Sequence, residues 1–505
     1  MNTLDRVIGF FAPRTALDRA RARAALSLVE GVRGYDGARV GRRGNGRSPS
    51  TSANAEIGPA QVRLRNRVRD LVRNNAHAAR IVDVLAAHVV GTGIVPVSRT
   101  GDPALDRRVN DLWAAWSDQC DADEQLDFYG LQTLAVRGMV EAGEALCRFR
   151  PRRLDDNLPV PLQLQLLEAD HIDTTRHAVL ASGRDVLGVR FDALGKRQAY
   201  WLFRDHPGDL VATAALSVPV PAGEVLHLYR KLRAGQVRGV TAFAPVVTMA
   251  RDIADYHEAA ILKARVEACF SGFVTSDDTG NGGVPVGPET KGSNGERLQE
   301  LSPGAVMYLR PGENVTFAEP TSSSSFDPFM VHSLQAMAAG VGVTYDQVTG
   351  DLRQANYSSL RAGKIEFRRL VEQIQYQTVI PMHCAPARRR FIEAAILAGK
   401  LPRRAQGYPC EWIPPANEPI DPLKDLTADI LAVRSGRMTV HQFIASWGND
   451  PETQLAEIAR TNGLIDGLGL VLDTDPRKTS RAGLTQARPE GTVLPSTDVS
   501  GDPAA

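Results

Sequence analysis

The chain has 505 residues and a mass of 54.7 kDa, enough for two to four packed units. Hydrophobic residues make up 43% and charged residues 23%, the balance of an ordinary globular protein, which excludes a mainly disordered or fibrous chain. The formal net charge of +1 hides an asymmetry: residues 1–80 carry sixteen arginines against six acids, and residues 411–475 carry eleven acids against four bases.

A basic arm on an acidic body has two readings: contact with nucleic acid or an acidic neighbouring surface, or a disordered arm kept soluble by its charge. No uninterrupted apolar run reaches the ~18 residues of a membrane-spanning helix. The start, MNTLDRVIGFFAPRTALDRARARAAL, carries an early acid and a very short apolar stretch. It makes a poor secretory signal, and a cytoplasmic place of synthesis and residence is expected. The five cysteines (Cys120, Cys147, Cys269, Cys384, Cys410) are scattered and never spaced C-x-x-C, which reads as reduced, mostly buried thiols.

Residues 1–57 read as a flexible basic N-terminal arm, since Gly41 to Ala55 has no apolar period. From about Gly58 a long helix is expected. Leu64, Val68, Leu71 and Val72 share one face, the pattern continues through Ile81, Val84 and Leu85, and it stops at Gly91-Thr92-Gly93. Arg63, Arg65, Arg67, Arg69 and Arg73 in this segment are the candidate basic contacts to DNA or to a neighbour. Further helices are expected at Ala104–Asp118 and Tyr129–Ala142.

Strands are then expected at Leu162–Leu167, Gly188–Phe191, Ala199–Phe203 and Glu224–Leu228, with turn-rich separators between them. Thr241 reads as the cap of a helix of about 25 residues, with Pro245 in its first turn. Its apolar stripe is Phe243, Val246, Val247, Ala250, Ile253, Ala254 and Ile261. A Gly-rich segment, short strands near Val306–Leu309 and Val315–Phe317, and a helix at Phe329–Ala339 follow. Residues 341–356 show no clean period. Another helix starts near Ser358 and is expected to end before Pro381. Three short helices close the pattern. Asp421 with Pro422, Thr439 with Gln442, and Asp450 with Pro451 open them, and Gly436, Gly448 and Gly463 end them. The tail beyond is expected to be disordered.

Motifs that carry chemistry are few in this sequence. The sequence holds no P-loop, no G-x-S-x-G elbow and no H-E-x-x-H. Gly91-Thr92-Gly93 lacks the third glycine of a dinucleotide fingerprint and follows a helix. Glu168, Asp170, His171, Asp173 and His177 form the most metal-like cluster, but strand alternation would split them between two faces, so a polar strand edge is the better reading. His383 and Cys384 are adjacent while Cys410 and His441 are distant, which does not make a zinc pattern. The chain reads as non-enzymatic, with no catalytic residue, no metal and no cofactor.

An ordered series of segments gives a family resemblance. The segments are RNRVRDLVRNNAHAARIVDVLAAHVVGTGI (65–94), W-x-x-W-x-x-x-C-D-A from Trp113 to Ala122, LQLLEADHID (164–173) and VPAGEVLHLYRKLRAGQVRGVTAFAPVV (220–247). They continue with LSPGAVMYLRPGENVTF (301–317), GDLRQANYSSLRAG (350–363), PIDPLKD (419–425) and SGRMTVHQFIASWGNDPE (435–452). Over roughly residues 60–460 the chain resembles the lambda-like family of bacteriophage portal proteins.

The resemblance implies an α+β, mainly helical, portal-type fold with wing, stem, clip and crown regions. It implies a ring, usually of twelve copies, at one capsid vertex of a phage or prophage, with duplex DNA passing through it. Implied partners are other copies of the chain, double-stranded DNA, the terminase large subunit, the major capsid protein and head–tail connector proteins; none is a membrane. The implied location is the virion, and the host cytoplasm during assembly. Mapped here, the wing is 58–240, the stem helices are 241–269 and 327–340, and the clip is 270–326. The tunnel loop is 341–357, a long helix and wing/crown connection spans 358–419, the crown is 420–465, and a disordered tail is 466–505. Arg353, Gln354, Asn356, Tyr357, Ser358, Ser359 and Arg361 are the candidate channel residues. An alternative for that stretch is a capped helix start, with Ser358 or Ser359 satisfying backbone N–H groups. The alternative function is a non-catalytic nucleic-acid-binding scaffold acting through the arginine-rich arm.

Overall fold

The helix expected from Gly58 through Leu85 is two helices, Ala53–Asn74 (α1) and Ala76–Val90 (α2), broken at Asn75. Asn75 adopts an extended conformation, and its side-chain oxygen accepts the Ala78 N–H at 3.0 Å, so a new helix starts there. The computed structural model describes residues 50–210, 216–269, 273–276, 290–291, 297–298, 313–316, 326–353, 357–416 and 419–478. The elements below belong to the compact unit that begins at Ala53. Residues 1–49 of the expected arm lie outside the described residues, while Ala53–Ile57, assigned to it, are already helical.

Gly93, at φ 125°, lets the chain turn hard after α2, since a Cβ there would sit 2.3 Å from the Tyr129 ring. The next elements are β1 (Val95–Ser98), α3 (Pro103–Ser117) and α4 (Phe128–Glu141). Asp102 caps α3 through the N–H groups of Ala104 and Leu105, and Asp127 caps α4 through that of Gly130. Trp113 and Trp116 of α3 are core residues packed with Phe128 and Phe391, at centroid distances of 4.9–5.8 Å.

Two antiparallel sheets follow. β2 (Glu144–Pro151) is central in a three-stranded sheet, flanked by β3 (Leu162–Glu168) on one side and later by β9 (Val225–Tyr229) on the other. Between β3 and β9 lies a five-stranded meander: β4 (Ala178–Leu180), β5 (Gly183–Val186), β6 (Val189–Asp192), β7 (Arg197–Phe203) and β8 (Ser217–Pro221). The four expected strands are present within two residues of their expected bounds. β2 was not expected, because Glu144, Arg148 and Arg150 interrupt its apolar run.

The next helix, α5, is Val247–Cys269, 23 residues and about 34 Å long by the helical rise. It starts later than expected. Thr241 instead holds a turn, its hydroxyl accepting the Phe243 N–H at 3.2 Å. The expected apolar stripe is buried only as far as Ile253, and Ala254 and Ile261 are exposed. Strands β10 (Phe273–Ser276), β11 (Thr290–Lys291), β12 (Arg297–Leu298) and β13 (Glu313–Thr316) form two small antiparallel pairs, β10–β13 and β11–β12. The strand expected at 306–309 lies outside the described residues.

Helix α6 (Phe326–Val341) is followed by a short helix, α7 (Tyr345–Thr349), inside the stretch expected to be irregular. Thr344 and Gln347 close a capping box there, a signal that four-residue resolution would have caught. α8 (Tyr357–Ile374) does not stop before Pro381. It passes into a wider π winding, Gln375–Cys384, and then into α9 (Ala385–Leu397). In α register the proline ring would press on the carbonyl four residues back, and the wider turn accommodates it.

β14 (Cys410–Ile413) pairs antiparallel with β1, Val95 opposite Ile413. The chain then forms α10 (Pro422–Arg434), α11 (Val440–Ser446) and α12 (Pro451–Gly467), opened by Asp421, Thr439 and Asp450 as expected. α12 runs through Gly463, which was expected to end it, and the residues to 478 are described, so the tail boundary at 466 falls inside a helix.

The main core joins α2, α4, α6, α8 and the π segment through residues such as Ile81, Val136, Met337, Phe367 and Val379. Cys120, Cys147 and Cys384 are buried free thiols, and Cys410 is partly exposed. No helix of the described residues is long and apolar enough to cross a membrane.

Candidate functional site

The candidate channel segment begins where α6 ends. Gly342, at φ 89°, passes so close to α8 that a Cβ would meet Leu370 at 2.8 Å. The chain then makes α7, which packs Val348 into the core, and leaves it through Gly350 at φ 71°. Asp351 receives Arg353 from three directions: its backbone N–H at 3.0 Å, Nε at 3.0 Å and Nη2 at 2.8 Å. The hydrogen bonds from Arg353 hold the Asp351 carboxyl at a pKa of about 2, and the same contact raises that of the guanidinium. Arg353 is 77% exposed, so the segment presents a solvent-facing cation whose charge is largely cancelled by its neighbour.

Gln354 and Asn356 lie outside the described residues. Tyr357, Ser358 and Ser359 open α8. Arg361, one turn further on, does not join Arg353. Its Nη2 lies 3.2 Å from Asp425, whose carboxylate also accepts the N–H groups of Ile420 and Asp421 at 2.9 and 3.1 Å. Arg361 therefore ties α8 to the start of α10.

The arginines of α1 separate into two groups. Arg63, Arg67 and Arg73 are exposed. Arg65 is buried, 3% exposed, with Nη2 2.9 Å from Asp170, and Arg69 bridges Glu168 at 2.6 Å and Asp170 at 2.7 Å. This corrects their reading as basic contacts available to DNA or a neighbour: within the subunit they serve as anchors between α1 and the end of β3. Burial lowers the Arg65 pKa. It would raise that of Asp170, but Arg65 and Arg69 outweigh it and the carboxyl is held low.

The metal-like cluster also divides. Strand β3 ends at Glu168 and a 3₁₀ turn, Ala169–His171, follows, so alternation stops before it can operate. Glu168, Asp170 and His206 converge within 4.8 Å, but the two guanidinium groups already occupy the carboxylates. Asp173 belongs to another network, accepting from Ser217 and Thr175 Oγ1, both at 2.6 Å, and from Arg176 Nε at 3.1 Å. His177 is exposed.

A buried charged centre was not anticipated. Glu144 of β2, fully buried, accepts from Arg238 Nε at 3.0 and 2.9 Å, from Gln61 at 2.8 Å and from the Gly239 N–H at 2.9 Å. Arg238 Nη2 also reaches it, and His227 Nε2 lies 2.9 Å away. Burial alone would raise the Glu144 pKa; Arg238 and His227 reverse that and hold it ionised. Burial keeps His227 low. The centre fastens α1, β2, β9 and the segment before α5 together, and each partner is remote in sequence.

This arrangement contains ion-paired joints and a nearly neutral exposed loop. The model of the family described as phage portal protein, lambda family, matches residues 40–375. The chain belongs to that family. It is 28% identical over 449 residues to the probable portal protein of Halomonas phage phiHAP-1, covering 84% of this chain and 85% of that one. It is 23% identical over 508 residues to portal protein B of Escherichia phage lambda, covering 90% and 94%. Among solved structures, a chain in the neck of the native GTA particle covers 75% of this chain and 90% of its own, at 16% identity and a TM-score of 0.43.

Proposed function

We propose that this chain is the repeating subunit of a portal ring of twelve copies at one vertex of a phage or prophage capsid. Duplex DNA crosses the ring during packaging and ejection. The ring sits against the major capsid protein, receives the terminase large subunit while the head fills in the host cytoplasm, and afterwards holds the head–tail connector proteins. The family match over residues 40–375 carries the reading. In it, residues 58–240 form the wing, 241–269 and 327–340 the stem, 270–326 the clip, 341–357 the tunnel loop, 358–419 the connection and 420–465 the crown.

Two features of the subunit support this assignment. α5 keeps Ile261 and Leu262 exposed, and α10 has no buried residue although Leu423 and Leu431 lie on it, so both have apolar surface that a neighbouring subunit would cover. In the proposed tunnel loop, Asp351 cancels Arg353, and a channel wall of low net charge lets DNA slide, because each neutralised phosphate would release a counterion and add affinity. Energy for packaging is assigned to the terminase.

Electron microscopy of the purified chain, with mass checked by light scattering, tests the proposal. Closed rings with a hole of about 20 Å or more, wide enough for duplex DNA, are expected. A compact monomer at every concentration, even with capsid protein present, overturns it.

A further inference from the structure

Between α2, α4, the segment before α5, the end of α6 and α8 lies a cavity of about 200 Å³. Its wall is apolar over most of its extent, with Leu85, Val89, Met139, Pro245 and Leu370 among the lining side chains. Arg230 also lines it, and so does Leu232, which is 67% exposed. Arg230 is partly buried, burial lowers its pKa, and no carboxylate among the described residues is its partner. The other partly buried arginines at the joints described above, Arg69 and Arg361, each have a carboxylate. A guanidinium withdrawn from water without an acid lacks its compensating charge.

The complementary pattern is exposed elsewhere on the same chain. On α5, Asp255, Glu258 and Leu262 follow at three- and four-residue steps and so lie on one stripe. All three are exposed, Leu262 at 60%. Asp255 and Glu258 have no cationic partner among the described residues. An apolar side chain one turn from a carboxylate is what an apolar cavity edged by an unpaired arginine would receive.

We propose that Arg230 and this cavity form one half of a contact between copies of the chain, the other half being the Glu258–Leu262 stripe of α5 from a second copy. Leu262 enters the cavity beside Leu232, and Glu258 pairs with Arg230. The inference rests on the ring reading and deepens it by assigning a residue pair to the subunit boundary. One half lies beside the end of α6 and the other on α5, so each subunit offers both halves to different neighbours. That is the heterologous pattern a closed ring requires.

Charge reversal by mixing tests it. Arg230→Glu alone and Glu258→Arg alone each place like charges at every contact. Each variant should need at least a tenfold higher concentration than the native chain to form rings, while its urea unfolding stays native-like. Mixed one to one, they alternate, every contact regains an opposite pair, and rings reappear at native concentration. Singles that assemble like the native chain, or deficient singles that mixing fails to restore, overturn the contact. Should either reversal unfold the chain, Arg230→Cys mixed with Glu258→Cys replaces it: a disulfide-linked dimer containing one of each chain on oxidation is expected, and its absence is decisive against the pairing. A native chain that forms no ring at all overturns the ring reading instead, before any variant is compared.

Discussion

Arg238 and Glu144 meet in the interior with neither side chain exposed to solvent, the guanidinium donating from both Nε and Nη2 to the one carboxylate. Removing one partner strands the other as a buried, uncompensated charge, which costs about 3–5 kcal/mol. Glu144→Ala should therefore lower the urea-unfolding free energy by that amount. A double replacement by Leu at 144 and Met at 238 should cost less than the single change, because no charge is left behind. A Glu144→Ala loss below about 1 kcal/mol, the worth of an exposed pair, would refute this account of the centre.

His383 of the π segment stacks against Phe128 at 5.9 Å and is fully enclosed, and burial pushes its pKa down to about 4. The unfolded chain takes up a proton near pH 6.5 and the native chain does not until about pH 4, so this group makes stability fall as pH drops through that window. The slope reaches about 1.4 kcal/mol per pH unit. His383→Leu should flatten the dependence by on the order of 2 kcal/mol between pH 7 and pH 5, measured as the difference between native and variant unfolding curves. Parallel curves would show that His383 is protonated in the native state. Glu144 and Asp170, whose carboxyls are held low, add to the acid loss with the same sign, but only as pH falls below the ordinary carboxylate range.

What could be read from the sequence is what depends on near neighbours. The caps at Asp421, Thr439 and Asp450 need only the next three residues, and all stand where the local pattern puts them. The burial of Arg65 and Arg69 was not legible, because it depends on Asp170, which is 101 residues from Arg69. β2 was hidden for the same reason: Glu144 looks like a surface residue until Arg238, 94 residues away, is placed against it. Pro381 reads as a helix stop under α geometry, and only the π winding lets the chain continue through it. The family resemblance was recoverable because it sums many short segments in order, whereas the tie from Arg361 to Asp425, 64 residues away, is a contact that no short segment contains.

The last two helices, α11 and α12, are held to the body through Arg99. Its guanidinium reaches Glu411 of β14 at 3.1 Å, Asp450 at 3.2 Å and Glu452 at 3.2 Å, and donates to His441 Nε2 at 3.2 Å. Few apolar side chains are buried on the helices themselves; Ile444 and Pro451 are the two on α11 and α12. Their docking is thus chiefly electrostatic, and charges partly open to water are screened by salt. Arg99→Ala, or raising salt from 0.1 to 1 M, should speed amide exchange across residues 440–452 severalfold while α2 and α4 stay protected. Uniform exchange across the whole chain, or none, would show that the helices are fixed by other contacts.

Asp351 decides how much charge the proposed tunnel loop shows to DNA. Asp351→Asn keeps the shape and a hydrogen-bond acceptor but releases the full charge of Arg353. In an assembled ring, every subunit whose freed guanidinium neutralises a phosphate should steepen the dependence of DNA affinity on salt by about 0.9 in log–log slope. Binding should tighten at 50 mM salt and converge on native values near 0.5 M, and packaging into heads should slow as the wall grips the duplex. Arg353→Ala should do the opposite and weaken binding at 50 mM salt, since it leaves the Asp351 carboxylate uncompensated in front of the phosphates. Fluorescence anisotropy of a duplex titrated with rings across a salt series reads the slope directly. If Asp351→Asn leaves both slope and affinity unchanged, residues 351–353 do not face the DNA.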